Sequence, residues 1–210
     1  MRLIKSLSIL TMLSPILLSG CNSVGESTNG VSDKEETVLV NDNASVVKSM
    51  ADFDLYDDIT EVEEYADLII KGKYTGERDQ KDFFKGGHLV QTTIESEIEI
   101  KKVYKGDKNK KDIITVFEPA YFKNDQFVSI EGYNLVNEKG NYVLLLRESS
   151  TSHGYVIVGM FQGKYDLSKQ EEAKKQKKVE KYEDIKDLEY FGDEYGRFNK
   201  LKKDVKDKYK

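Results

Sequence analysis

The sequence predicts a mainly β body: a small antiparallel barrel of five or six strands, closed or partly closed, with a short N-terminal helix and a charged, largely helical C-terminal tail. Three observations predict it. Residues Thr92 to Tyr104 (TTIESEIEIKKVY) alternate, with Ile94, Ile98 and Ile100 on one face and Glu95, Glu97 and Glu99 on the other, and a period of two marks a half-buried strand. Other short runs rich in apolar and β-branched residues are separated by turn residues, the pattern of a small all-β domain. Beyond Ser168 the apolar residues recur at three and four instead, the spacing of an amphipathic helix.

The chain opens on an export signal. Arg2 and Lys5 are followed by the apolar stretch Leu7 to Leu18, too short for a transmembrane helix, which needs ~20 residues. Ser19 and Gly20 then lead to Cys21, and Leu18-Ser19-Gly20-Cys21 resembles the bacterial lipobox, in which the cysteine thiol takes a diacylglycerol and a peptidase cuts just before it. The resemblance implies lipidation at Cys21, a membrane as partner through that lipid, and a place on the extracytoplasmic face of the cell membrane. Cys21 is the single cysteine, so an intramolecular disulfide, a cysteine zinc site and a redox pair are excluded.

Cleavage before Cys21 removes two positive charges and takes the net charge from −5 to −7. Residues 168–210 carry 14 Lys/Arg and 11 Asp/Glu, a surplus of three positive charges, which leaves residues 21–167 near −10. An acidic body does not attract phosphate backbones, which argues against nucleic acid as a partner. The tail mixes signs, as a solvated helical face does.

Residues 1–20 are therefore read as the signal and 21–50 as the lipidated cysteine and a flexible tether. The barrel domain is placed at 51–167 and the charged helical extension at 168–210. The tether is rich in Ser, Thr, Asn, Gly and Asp and buries little; a free chain of this length spans ~30 Å. Val38-Leu39-Val40 is its one candidate strand. Thr60-Glu61-Val62-Glu63 matches a capping box and starts a short helix reaching about Ala66. Strands are expected at Leu68–Tyr74, Thr92–Tyr104, Ile113–Phe117, Tyr142–Leu146 and Tyr155–Met160. Phe127–Ile130 is a short edge strand in this reading, and Gly163-Lys164-Tyr165 extends the last strand. In the tail, Val179, Tyr182, Ile185 and Leu188 form one helical stripe, and Phe198, Leu201, Val205 and Tyr209 another; both are expected to pack on the barrel.

Three segments, Ala66-Asp67-Leu68-Ile69-Ile70-Lys71-Gly72, Ile98 to Gly106 (IEIKKVYKG) and Lys139 to Leu146 (KGNYVLLL), resemble in order the strand signatures of netrin-like domains and tissue inhibitors of metalloproteinases. The resemblance implies an OB-like barrel, the five-stranded oligonucleotide/oligosaccharide-binding type, as in bacterial lipoproteins with the same strand set. Netrin-like domains of animals are rich in disulfides, and this body has no cysteine. The metalloproteinase inhibitors chelate zinc through a free N-terminal cysteine, whereas Cys21 is expected to carry lipid and lies some 45 residues before the first barrel motif.

No residue pattern assigns a catalytic, cofactor-binding or metal-binding role; Cys21 as the lipidation site is the one site residue. His88 and His153 sit in turn-like contexts without a G-x-S-x-G elbow or an H-E-x-x-H pair, and read as solvated loop histidines. Asp52, Asp54, Asp57 and Asp58 fit the acidic start of a helix. The run from Asp107 to Glu118 lacks the glycine of a calcium loop, having Asp112 at its sixth place, and reads as a lysine-rich turn. The leading expectation is thus a non-enzymatic binding or scaffold module at the cell surface, with an extracytoplasmic protein or ligand as its partner. The alternatives are an inhibitor of an extracellular hydrolase and, third, an enzyme built around His88 and His153.

Overall fold

The computed structural model describes residues 36–37, 40–150, 152–176 and 178–209. The expected signal, Cys21, most of the expected tether and Val38-Leu39 lie outside the described residues. Ten strands are described: β1 (Glu36–Thr37), β2 (Ser45–Ser49), β3 (Leu68–Lys85), β4 (His88–Lys105), β5 (Ile113–Glu118), β6 (Ala120–Lys123), β7 (Gln126–Ile130), β8 (Tyr142–Glu148), β9 (Tyr155–Ile157) and β10 (Lys164–Asp166). Two α-helices, α1 (Ile59–Glu64) and α2 (Tyr195–Lys208), accompany them.

The chain is mainly β. Seven strands form one sheet in the order β1-β3-β4-β5-β9-β8-β10, and β3 pairs with β8 as well. Hydrogen bonding thus runs from β3 through β4, β5, β9 and β8 and returns to β3. Four of those five pairings are antiparallel, but β5 and β9 run parallel, which corrects the expectation of a wholly antiparallel sheet. A second sheet, β2-β7-β6, includes another parallel pair, β2 with β7. Phe127–Ile130, expected at an edge, is therefore the central strand of three.

Period two places the core. Ile94, Ser96, Ile98 and Ile100 of β4 are buried, as are Ile114 and Val116 of β5 and every residue from Tyr142 to Leu146. A Cβ on Gly72 of β3 would lie 2.5 Å from Ile98 Cγ2, so only glycine lets the isoleucine seat against that strand. On the opposite face Glu95, Glu97 and Glu99 are half-buried rather than exposed; Glu95 is held by Lys81 at 3.0 Å.

Both strands of the first hairpin are far longer than their sequence signals, 18 residues each. Beyond Ile94, β4 has no partner but β3. Past this point the arm is two-stranded and buries no continuous face, so its charged residues Lys81 and Asp82 set up no alternation. Residues 45–49, placed by composition in the tether, pair with β7. Helix α1 is capped two residues earlier than expected: Asp58 Oδ1 accepts from the amides of Thr60 at 2.8 Å and Glu61 at 3.2 Å, satisfying two orphan donors of the first turn. Gly163-Lys164-Tyr165 extends the line of β9 only after an interruption. A 3-10 turn at Met160–Gly163 interrupts the strand, and β10 then runs in the same direction as β9, antiparallel along the next residues of β8, Leu144 to Tyr142.

The tail is only half helical. Tyr182 and Ile185 are buried, but they lie on a 3-10 turn at Tyr182–Asp184 and its end. The amides of Tyr182 and Glu183 donate to the carbonyls of Ala44 and Asp42, so these tertiary bonds replace those of an α-helix. In α2, Phe198, Leu201 and Val205 are buried and the Phe198 ring stacks on Tyr190 and Tyr165, with centroids 5.0 and 5.5 Å apart. The tail therefore packs on the body. Phe198→Ala is expected to cost about 3–5 kcal/mol, as large aromatic deletions in cores do, and truncation after Leu167 to abolish the cooperative melt followed by circular dichroism. An unchanged melting temperature after truncation would contradict this packing.

Candidate ligand cleft and the buried charge network

The residues that the sequence offered for chemistry are not brought together. His88 and His153 are both exposed, one beside the turn of the arm and the other in the loop before β9. The four aspartates separate: Asp58 caps α1, Asp57 pairs with Arg197 at 2.8 Å, Asp54 faces a cleft and Asp52 is exposed. Among the described residues no group of three or more His, Cys, Asp or Glu side chains is placed to hold a metal.

What the fold does gather is a buried charge network around Glu118, the last residue of β5. Glu118 is buried, and its carboxylate accepts four hydrogen bonds. Ser96 Oγ donates at 2.5 Å, Tyr133 OH at 2.7 Å, the Val136 amide at 2.8 Å and the Arg78 guanidinium at 3.3 Å. Arg78 also donates to the Val136 carbonyl at 2.6 Å and lies over the Tyr74 ring. The network thus ties the 133–136 segment to β3, β4 and β5. Burial, and then the adjacent Glu118 charge, hold the Tyr133 hydroxyl protonated well above its ordinary range. Glu118 was legible in one respect, because it continues the inward phase of Ile114 and Val116.

Lys164 lies nearby, buried, with its ammonium donating to the Asn134 carbonyl and 4.3 Å from the Tyr133 ring centroid. Burial pulls its pKa from 10.5 down to about 8, against the opposing pull of Glu118, Glu189 and Asp166. The folded chain sheds this proton near pH 8 and the unfolded chain near 10.5. Between those values the unfolded state binds more protons, so stability rises with pH, at most by ~1.4 kcal/mol per unit. Above about pH 10 the slope reverses, because tyrosines such as Tyr133 and Tyr165 have raised pKa values when folded and the unfolded state ionises first. Urea midpoints at pH 7.5 and 9.5 should show the rise, and Lys164→Met should remove it; a midpoint that falls across that interval in the parent chain would contradict the assignment.

The candidate site is a cleft of about 530 Å³ across the outer face of β4, β5 and β9. Register builds its floor: Phe117 is opposite Val156, which is opposite Arg147 of β8. Gln91, Thr92 and Thr93 at the base of the arm form one wall. Phe53, Asp54, Tyr56 and Met160 form the other, held by Gln162, which accepts from the Tyr56 amide at 2.8 Å and donates to the Asp54 carbonyl at 2.9 Å. Gly159 and Met160 both have positive φ, 60° and 58°, which turns the chain sharply at the rim. The cleft combines aromatic and thioether surface with the Gln91 amide, the hydroxyls of Thr92 and Thr93, the Asp54 carboxylate and the exposed guanidinium of Arg147. Such a mixture binds by contact area and hydrogen bonding. Its parts are scattered between residues 53 and 160, so no local motif announced it.

No protein-family model, curated protein or solved structure matches the chain significantly.

Proposed function

We propose that this chain is a lipid-anchored, non-enzymatic binding module on the extracytoplasmic face of the cell membrane, with Cys21 carrying the lipid and the cleft over β4, β5 and β9 receiving the ligand. The cleft carries the reading: it is open, mixed in polarity, and walled by side chains that offer contact and hydrogen bonding. The export-signal pattern and Leu18-Ser19-Gly20-Cys21 support the anchor. We also read β3, β4, β5, β9 and β8 as a closed barrel of the OB type. Two features support this: the pairings return to the first strand, and the single parallel pair of that circuit is β5 with β9. Barrels of this type bind ligands on the face of their second and third strands, here β4 and β5.

Two readouts on intact cells test the proposal. The parent protein should incorporate a tagged fatty acid and partition into detergent, and Cys21→Ala should do neither; a Cys21→Ala chain that still labels removes the anchor. A photo-crosslinking residue at Phe53, in the cleft, should give one discrete adduct that Arg147→Glu weakens. The same residue at Met50, which is 89% exposed and outside the cleft, should give none. Equal capture from both positions would remove the cleft as the binding face.

A further inference from the structure

We propose that the tip of the β3–β4 arm dips into the surface of the membrane to which the chain is anchored, so that lipid is the occupant of its apolar end; this rests on the reading of Cys21 as the lipid anchor. The arm continues past the last β5 pairing at Ile94 for six residues to His88, ~20 Å of extended strand. It ends in a two-residue turn, Gly86-Gly87, with φ of 60° and 79°, the positive values that a tight hairpin reversal requires. Nothing lies within 4 Å of where a Cβ would stand on either glycine, so the turn projects freely.

The tip is apolar where a free hairpin end is ordinarily polar. Phe84 and Leu89 face each other across the ribbon and are 48% and 40% exposed. Phe83, beside them, is half-buried. From Phe83 to Val90 the sequence (FFKGGHLV) holds no acidic residue, although the body as a whole is acidic. An anionic lipid surface therefore meets no carboxylate at this end, and aromatic and aliphatic side chains gain by entering the interface.

Chain connectivity selects lipid over other occupants. Strand β1 pairs with β3 at the foot of the arm, Glu36 opposite Gln80 and Thr37 opposite Asp79. The chain thus enters the fold four residues from Phe84, and Glu36 is only 15 positions after Cys21. Fifteen residues reach at most ~50 Å and average ~20–25 Å if unconstrained. The anchor therefore holds the arm within reach of the bilayer.

The chain has no tryptophan, so Phe84→Trp supplies a single reporter at a site where the larger ring has room. Ile113→Trp, at a position 58% exposed and paired with Glu99, ~35 Å along β4 from His88, is the control. The full lipidated chain is placed in phosphatidylcholine/phosphatidylglycerol vesicles, with and without phosphatidylcholine brominated on its acyl chains. The expected result is a blue shift and strong bromine quenching at position 84 and neither at 113. Emission at 84 that is indifferent to bromine overturns the proposal. So does quenching at both positions, which means the whole body lies on the bilayer. So does a blue shift that grows with protein concentration without quenching, which means a second copy covers the tip. The mass of the purified chain and its detergent partition report the anchor separately. A chain without lipid fails the anchor reading, and the same quenching measurement on vesicles then decides the tip by itself.

Discussion

Ile98→Asp should unfold the body, while Glu97→Gln, one residue away on the same strand, should move stability by no more than ~0.5 kcal/mol, as surface substitutions do. Ile98 is fully buried, and its Cγ2 occupies the space that a side chain on Gly72 would need. A carboxylate there would have neither a cation nor a hydrogen-bond donor built for it. Burying such a group costs several kcal/mol against a typical total of ~5–15 kcal/mol. Glu97 carries its side chain to the other face, where it is half-buried at most. Denaturant midpoints of the two variants measure the difference, and near-equal midpoints would mean that the register of β4 is wrong.

Glu118→Ala should cost about 3–5 kcal/mol, the scale found when one partner of a buried ion pair is removed. The loss is of a kind different from that at Ile98, since Glu118 is charged but fully supplied with donors. Its removal strands the Arg78 guanidinium, the Tyr133 hydroxyl, Ser96 Oγ and the Val136 amide in the interior. Buried donors without acceptors carry the full cost of lost hydration. The double variant Glu118→Leu with Arg78→Met should be less damaging than Glu118→Ala, because it withdraws both charges together. A single variant that loses less than about 1 kcal/mol would show that the network is dispensable.

The parts of the fold that were legible are those with one wet face and one dry one. Ile94, Ile98 and Ile100 announce β4 by period two, and Phe198, Leu201 and Val205 announce α2 by period 3.6, since each element faces the core along a single stripe. The arm was illegible because a two-stranded ribbon beyond the core imposes no such stripe on Lys81 to Lys85. The spacing of Tyr182 and Ile185 pointed to a helix, but the amides of Tyr182 and Glu183 donate to the backbone carbonyls of Ala44 and Asp42, some 140 residues away in sequence. The charge network was hidden for a related reason. Arg78, Ser96, Glu118, Tyr133 and Lys164 each look like surface residues when read alone, and only strand register brings them inside. The cleft joins residues from six separate segments, and that assembly leaves no trace in any short window.

The placing of the tail bears on when the chain can acquire its shape. Val46 donates its amide to the Glu180 carbonyl, and Ser45 bridges to Lys181, while the same strand lies along β7. Tyr209 is buried, with its hydroxyl donating to Glu63 and its ring 4.7 Å from that of Tyr104. Segments made first therefore wait for segments made last. Chains emerge at ~5–20 residues per second, so some seconds pass between the appearance of β2 and that of α2. Through that interval Phe161, Tyr165 and Tyr190 lack the Phe198 ring that covers them. Contacts of such long sequence separation slow folding further. A chain halted before residue 195 should thus be a protease substrate and a client for a holding chaperone, and the finished molecule neither.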